Sequence, residues 1–209
     1  MSDLAQHERR ALADLFLEVG RDAPTLCDGW QAADLAAHLV VRERRPDAAL
    51  GLVVPPLSGH LERVQREQRD GRSWPDLVAA VRSGPPFPLR LRVIDEAMNT
   101  AEFFIHHEDV RRAQRAWEAR DLAPGLERAL WSRLKLMARL IGRSSPVGLV
   151  LEAPGHGRVT VKSAVPSVTV TGPPSELLLV ASGRQGAARV EWDGEPAVVE
   201  KLQQAAFGL

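Results

Sequence analysis

Apolar residues recur at helical spacing through roughly the first two thirds of the chain and at every second position in several short runs after that. Over residues 3–20, Leu4, Leu12, Leu15, Phe16 and Val19 share one side of a helix that Gly20 is placed to end. Cys27-Asp-Gly-Trp30 reads as a turn. A helix over 32–45 follows, with Asp34 in its capping turn and Pro46 as its stop. The Pro- and Gly-containing stretch 51–60 reads as a loop, and 61–70 as a short polar helix. Trp74-Pro75-Asp76 opens a further helix with Leu77, Val78 and Val81 inward, and Gly84–Pro88 breaks it. Long helices are expected over 90–118 and 124–142, the second with Leu126, Leu130, Leu134, Met137, Leu140 and Ile141 as its apolar side.

Beyond Gly142–Pro146 the period shortens. Residues 147–152, 158–162, 167–171 and 189–193 have strand character, and 175–181 and 196–206 read as helices. The expected fold class is therefore α+β: a helical bundle over 1–145 followed by a small α+β domain over 146–209.

A chain of 209 residues with 44% hydrophobic content can bury such a core. Its formal net charge of zero provides no overall field for nucleic acid or an anionic membrane, so neither partner is expected. Arginine dominates the basic residues, the lysines being Lys135, Lys162 and Lys201. One cysteine, Cys27, rules out an intramolecular disulfide, and the charged N-terminal segment lacks the apolar centre of a signal peptide. A cytoplasmic location is the expectation.

The chemistry concentrates in Asn99–Asp109 and in the histidine of Asp34-Leu-Ala-Ala-His38-Leu. Glu102 and His106 are four residues apart, one turn along the same helix face. Asp95, Asn99, Glu102, His106, Asp109 and Ala113 form a stripe beside the apolar Ile94, Met98, Ala101 and Ile105. Ionisable groups at the edge of a buried face are costly unless paired or metal-bound. No Lys or Arg lies between 93 and 110 to make that stripe a solvated charge pattern. His38, Glu102 and His106 can thus present two imidazoles and a carboxylate to one divalent metal with a coordination position left open. A hydrogen-bonded core histidine is the competing reading for His38. His107 is the alternative ligand in a different register, and Asp109 is either a fourth ligand or the group that orients an imidazole.

Other residues carry less. His7 and His60 are expected at the surface, and His156 in a tight Pro-Gly-His-Gly turn. Cys27 lacks a basic sequence neighbour that could activate its thiol. Arg111, Arg112, Arg115 and Arg120 read as a solvated face, or as a holder for an anion.

Trp30-x3-Asp34-Leu-Ala-Ala-His38-Leu, followed downstream by Glu102-x3-His106, resembles the N-terminal domain of mycothiol-dependent maleylpyruvate isomerases, within the DinB/YfiT-like superfamily of metal-binding four-helix bundles. Val168–Arg184 resembles the C-terminal module of those isomerases, a shortened sterol-carrier-like fold. The resemblance implies that His38, Glu102 and His106 ligate a divalent metal, zinc by preference. It further implies that the metal activates a low-molecular-weight thiol such as mycothiol, for isomerisation or thiol transfer on a small anionic substrate. Arg184 matches a position where the resemblance places a substrate- or thiol-binding arginine; the competing reading is a charge at the end of the tail helix. A non-catalytic module that holds a metal or small ligand is the second functional reading.

Overall fold

The computed structural model describes residues 3–49, 51, 54–86 and 92–206, apart from the side chains at 92–95, 97, 98 and 139. Expectations for Ile94, Asp95 and Met98, and for the end of the 84–88 break, lie outside the described residues. The chain divides into two compact units, Met1–Glu118 and Ala119–Leu209.

The first unit is helical: α1 (Leu4–Val19), α2 (Ala32–Arg44), α3 (Pro46–Ala49), α4 (Ser58–Asp70), α5 (Trp74–Ser83) and α6 (Arg92–Arg111). Helix α1 packs on α5 and α6, and α2 on α4 and α5. Their shared core includes Leu12, Phe16, Leu35, Leu39, Leu77, Val81, Phe103 and Val110. Helix α2 is buried nearly all round, as Ala-Ala-Asp-Leu-Ala-Ala-His-Leu-Val-Val allows: small residues let neighbouring helices approach and large ones fill the gaps. Asp34 accepts from the Gln31 backbone N–H at 3.0 Å and so closes the α2 start. Gly20 ends α1 with φ of 88°, a left-handed backbone that side-chain-bearing residues avoid.

Two departures from the sequence pattern have local causes. The 51–60 stretch is partly helical, because Pro55–Leu57 forms a 3₁₀ turn that feeds directly into α4. Helix α6 stops at Arg111 rather than 118. There the Gln114 side chain donates to the Val110 carbonyl at 2.8 Å and to Pro24 O at 3.2 Å, which satisfies a terminal carbonyl and turns the chain away.

The second unit holds α7 (Pro124–Ser144), β1 (Gly148–Ala153), β2 (Gly157–Lys162), β3 (Ser167–Thr171), α8 (Pro174–Ala181), β4 (Glu191–Asp193) and α9 (Pro196–Gln203). The strand order is β2-β1-β3-β4, with β1 parallel to β3 and the two outer pairings antiparallel. Leu149, Leu151, Val168 and Val170 point from alternate positions into the core, as the period of two requires. Helix α7, expected with the bundle, packs on β2 and α8 within this unit. Its inward face is Leu126, Leu130, Leu134, Ala138 and Ile141; Leu140, expected inward, is 52% exposed. At the α7–β2 crossing Gly142 lies against the Val161 carbonyl so closely that a Cβ would sit 2.3 Å from the oxygen. Among the described residues no helix is long and apolar enough to cross a membrane.

Candidate metal centre

Helices α2 and α6 bring together the three residues singled out in the sequence. His106 Nε2 lies 3.2 Å and His38 Nε2 3.6 Å from the same oxygen, Glu102 Oε1. The two imidazole centroids are 5.4 Å apart and nearly perpendicular, and the donor atoms of all three residues lie within 4.8 Å of one another. Both histidines are 8% exposed.

Each imidazole is held from behind through Nδ1. His106 Nδ1 is 2.8 Å from Asp109 Oδ2, and Asp109 is fully buried. His38 Nδ1 is 3.1 Å from the Gln65 carboxamide on α4, whose oxygen can accept an Nδ1–H when the amide is turned. The Trp30 ring flanks His38 at 5.2 Å. Trp30 and Gln65 also line a cavity of about 250 Å³ with Gly29, Asp34 and Arg69. Outer partners of this kind fix the ring orientation and leave Nε2 directed at a common point. Two nitrogens and one carboxylate oxygen, with nothing softer among them, suit zinc or a similar divalent ion. The residues present therefore fit the group.

Burial pushes His38 toward its neutral, ligand-competent form, and the His106 and Arg42 charges push the same way, outweighing its contacts with Glu102. Burial opposes charge on His106 and on Glu102 as well, but their partners prevail there. Hydrogen bonds with Asp109, Cys27 and Glu102 hold His106 well above the ordinary imidazole range. Contacts with His106, His38 and Arg42 hold the Glu102 carboxyl well below the ordinary carboxylate range.

Several of these partners escaped the sequence reading. Arg42, one turn after His38, places Nε 3.1 Å from Glu102 Oε1. Its Nη1 donates to Asn99 Oδ1 at 2.6 Å, Asn99 donates to Glu43 at 3.1 Å, and Glu43 pairs with the fully buried Arg9 of α1 at 2.7 Å. The positive charge missing from the α6 stripe is thus supplied by α1 and α2. The spacing His38-x3-Arg42 was the available signal. Cys27, which has no basic neighbour in sequence, lies beside His106 and donates its thiol to Asp109 Oδ2 at 3.2 Å. The loop that carries it is pinned to α6 by Leu26 N–H donating to Asp109 O at 3.0 Å.

The alternatives resolve by direction. His107 turns away from the cluster, its Nδ1 2.9 Å from Glu8 on α1. Arg111 and Arg112 both bind Glu108, and Arg112 is buried and lies over the Trp117 ring at 4.7 Å, so this part of the arginine run is no solvated face. Arg184 belongs to the second unit, where it donates to the Ser182 carbonyl just past the end of α8. His60 lies on α4 beside Asp47 at 3.2 Å, and His156 closes the β1–β2 turn with its N–H to Ala153 O at 2.9 Å.

No known family model matches this sequence, and neither does any curated protein. Two crystal structures of mycothiol-dependent maleylpyruvate isomerase do match in fold, one of them a histidine-to-alanine mutant. Their TM-scores are 0.61 for the mutant and 0.60 for the other, at 17% and 18% identity. The match covers 92% of this chain and 91% of each of theirs. The chain thus shares the α+β fold of those isomerases, a helical region followed by a small sheet domain.

Proposed function

We propose that this chain binds a divalent metal, zinc by the chemistry of its donors, through His38, Glu102 and His106. We further propose that it acts as a cytoplasmic enzyme on a low-molecular-weight thiol of the mycothiol kind, in isomerisation or thiol transfer with a small anionic substrate. The observation that carries the reading is the convergence of two imidazole Nε2 atoms on one carboxylate oxygen, each ring braced at Nδ1 by a separate partner. The fold shared with the isomerases supports the thiol and the reaction class.

When bound, such an ion lowers the pKa of a coordinated thiol and so supplies a nucleophile near neutral pH. The protein's own groups orient and enclose. Asp109 and Gln65 hold the two rings, and Trp30 shields the outer face of His38. His106, His38 and Arg42 together keep Glu102 ionised against its burial. By the resemblance alone, we propose Arg184 for binding the anionic partner.

Metal analysis of the purified protein tests the first half. One equivalent of zinc is expected, lost in His38→Ala and in His106→Ala, together with a rise in thermal stability on adding zinc to the apo protein. Zinc at a hundred times its Kd adds about 2.7 kcal/mol by mass action. Absence of stoichiometric metal and of any stabilisation would overturn the reading. Titrating mycothiol into the cobalt-substituted protein tests the second half: a change in the cobalt spectrum is expected, and an unchanged spectrum with every cellular thiol leaves the metal-binding module alone.

A further inference from the structure

We propose that the cavity between α2 and α4 is a seat for a neutral, polyhydroxylated ring, a single monosaccharide unit, held against Trp30. Nothing in this seat requires the metal to be present.

The cavity measures about 250 Å³ and lies wholly within the first unit. Drug-sized ligands fill about 300–1,000 Å³, so this space suits one six-membered ring rather than a chain of them. One wall is the Trp30 indole with Asp34 of α2, and the other is Glu62, Gln65, Arg66 and Arg69 of α4. The backbone at Trp30 is fixed: its N–H donates to Cys27 O at 3.0 Å, and its carbonyl accepts from the Thr25 hydroxyl at 2.8 Å. Gly29, with φ of 72°, brings no side chain, and a Cβ there would meet nothing within 4 Å, so its part of the lining stays open.

The polar lining sets the class of ligand. Its charges stand in pairs of opposite sign, Arg69 Nη1 2.7 Å from Asp34 Oδ1 and Arg66 Nη1 3.8 Å from Glu62 Oε2. Arg69 also binds Asp70 at 2.8 Å. A charged ligand that gains from one member of such a pair loses to the other. A hydroxyl accepts from a guanidinium and donates to a carboxylate at once, so neighbouring hydroxyls on a ring match the pair with charge-assisted hydrogen bonds on both sides. The C–H face of the same ring is apolar and lies flat on an indole. A purely apolar ring would strip water from these charged groups and offer nothing in return.

Gln65 ties the seat to the candidate metal centre. Its carboxamide lines the cavity and lies 3.1 Å from His38 Nδ1, and the Trp30 ring flanks the same imidazole at 5.2 Å. A sugar unit held here is one side chain away from His38.

Titration of the ¹⁵N-labelled full-length protein with D-glucose, D-galactose and D-mannose, followed through the tryptophan indole N–H signals by NMR, tests this. The Trp30 signal is identified by its loss in Trp30→Phe. At least one sugar is expected to shift it saturably. Glu62→Ala and Arg66→Ala are each expected to weaken that sugar about tenfold, the size of one hydrogen bond to a charged group. Thermal stability should hold in both, because these side chains are 63% and 58% exposed and form a surface pair. Cyclohexanol, a ring with one hydroxyl, and inorganic phosphate are expected to leave the signal in place. The proposal is overturned if no sugar gives a saturable shift, or if cyclohexanol or phosphate shifts Trp30 as strongly. Sugar affinity unchanged in both variants overturns it too. A saturable sugar shift in protein that takes up no zinc upholds this seat while the metal reading falls.

Discussion

Asp109 holds His106 through a 2.8 Å contact between Oδ2 and Nδ1, three residues apart on one helix and out of reach of water. This single contact turns the imidazole so that Nε2 faces Glu102 and His38. It also explains why a carboxylate can be fully buried at this position: the Cys27 thiol donates to the same oxygen at 3.2 Å. A pair of this kind commonly stands behind a metal-ligating histidine and raises the basicity of the ligand.

Asp109→Asn keeps the shape and removes the charge. It is expected to weaken zinc binding about 10- to 100-fold, the usual cost of losing an outer partner of a ligand. Competition against a chromophoric chelator measures this, and an unchanged zinc affinity would show that His106 needs no such brace.

His106→Ala and His107→Ala should differ in kind. The first is expected to abolish metal uptake. The second is expected to leave zinc stoichiometry at the wild-type value and to lower stability, because the buried His107–Glu8 contact between α6 and α1 is lost. Losing a buried hydrogen bond to a charged group costs about 1.5–3 kcal/mol. Metal analysis and urea denaturation on the same two samples separate the roles.

Glu43→Ala removes the carboxylate that both Nη atoms of the wholly buried Arg9 bind, a guanidinium that also donates to Val81 O at 3.3 Å and sits 4.1 Å over the Phe103 ring. Removing one member of a buried ion pair costs about 3–5 kcal/mol. A lowered urea midpoint with an unchanged slope is the expected result. A shift below about 1 kcal/mol, as for a surface pair, would mean that water reaches Arg9.

Arg184→Ala tests the assignment of that residue to the anionic partner. Thiol and anion affinities measured on the cobalt-loaded protein should fall while cobalt uptake stays the same. If Arg184 has a structural role alone, which includes its bond to the Ser182 carbonyl past α8, the ligand affinities hold and thermal stability drops.

The sequence by itself determined the helical first part, the β-type tail and the three residues of the cluster. These features depend on periods of 3.6 and 2 and on one-turn spacing along a helix, which are local properties of the chain. The reading of Glu102 and His106 as neighbours on one face needed nothing beyond their separation of four. Where α7 packs was not legible, because an amphipathic helix states which face it buries and not against what. Tertiary structure alone decided that Arg42, Asn99, Glu43 and Arg9 form one chain of contacts behind Glu102. It also brought the Cys27 loop onto Asp109 and turned His107 toward Glu8. Such pairings join residues 34 to 99 positions apart, and buried charges find their partners through the packing of helices rather than through spacing along the chain.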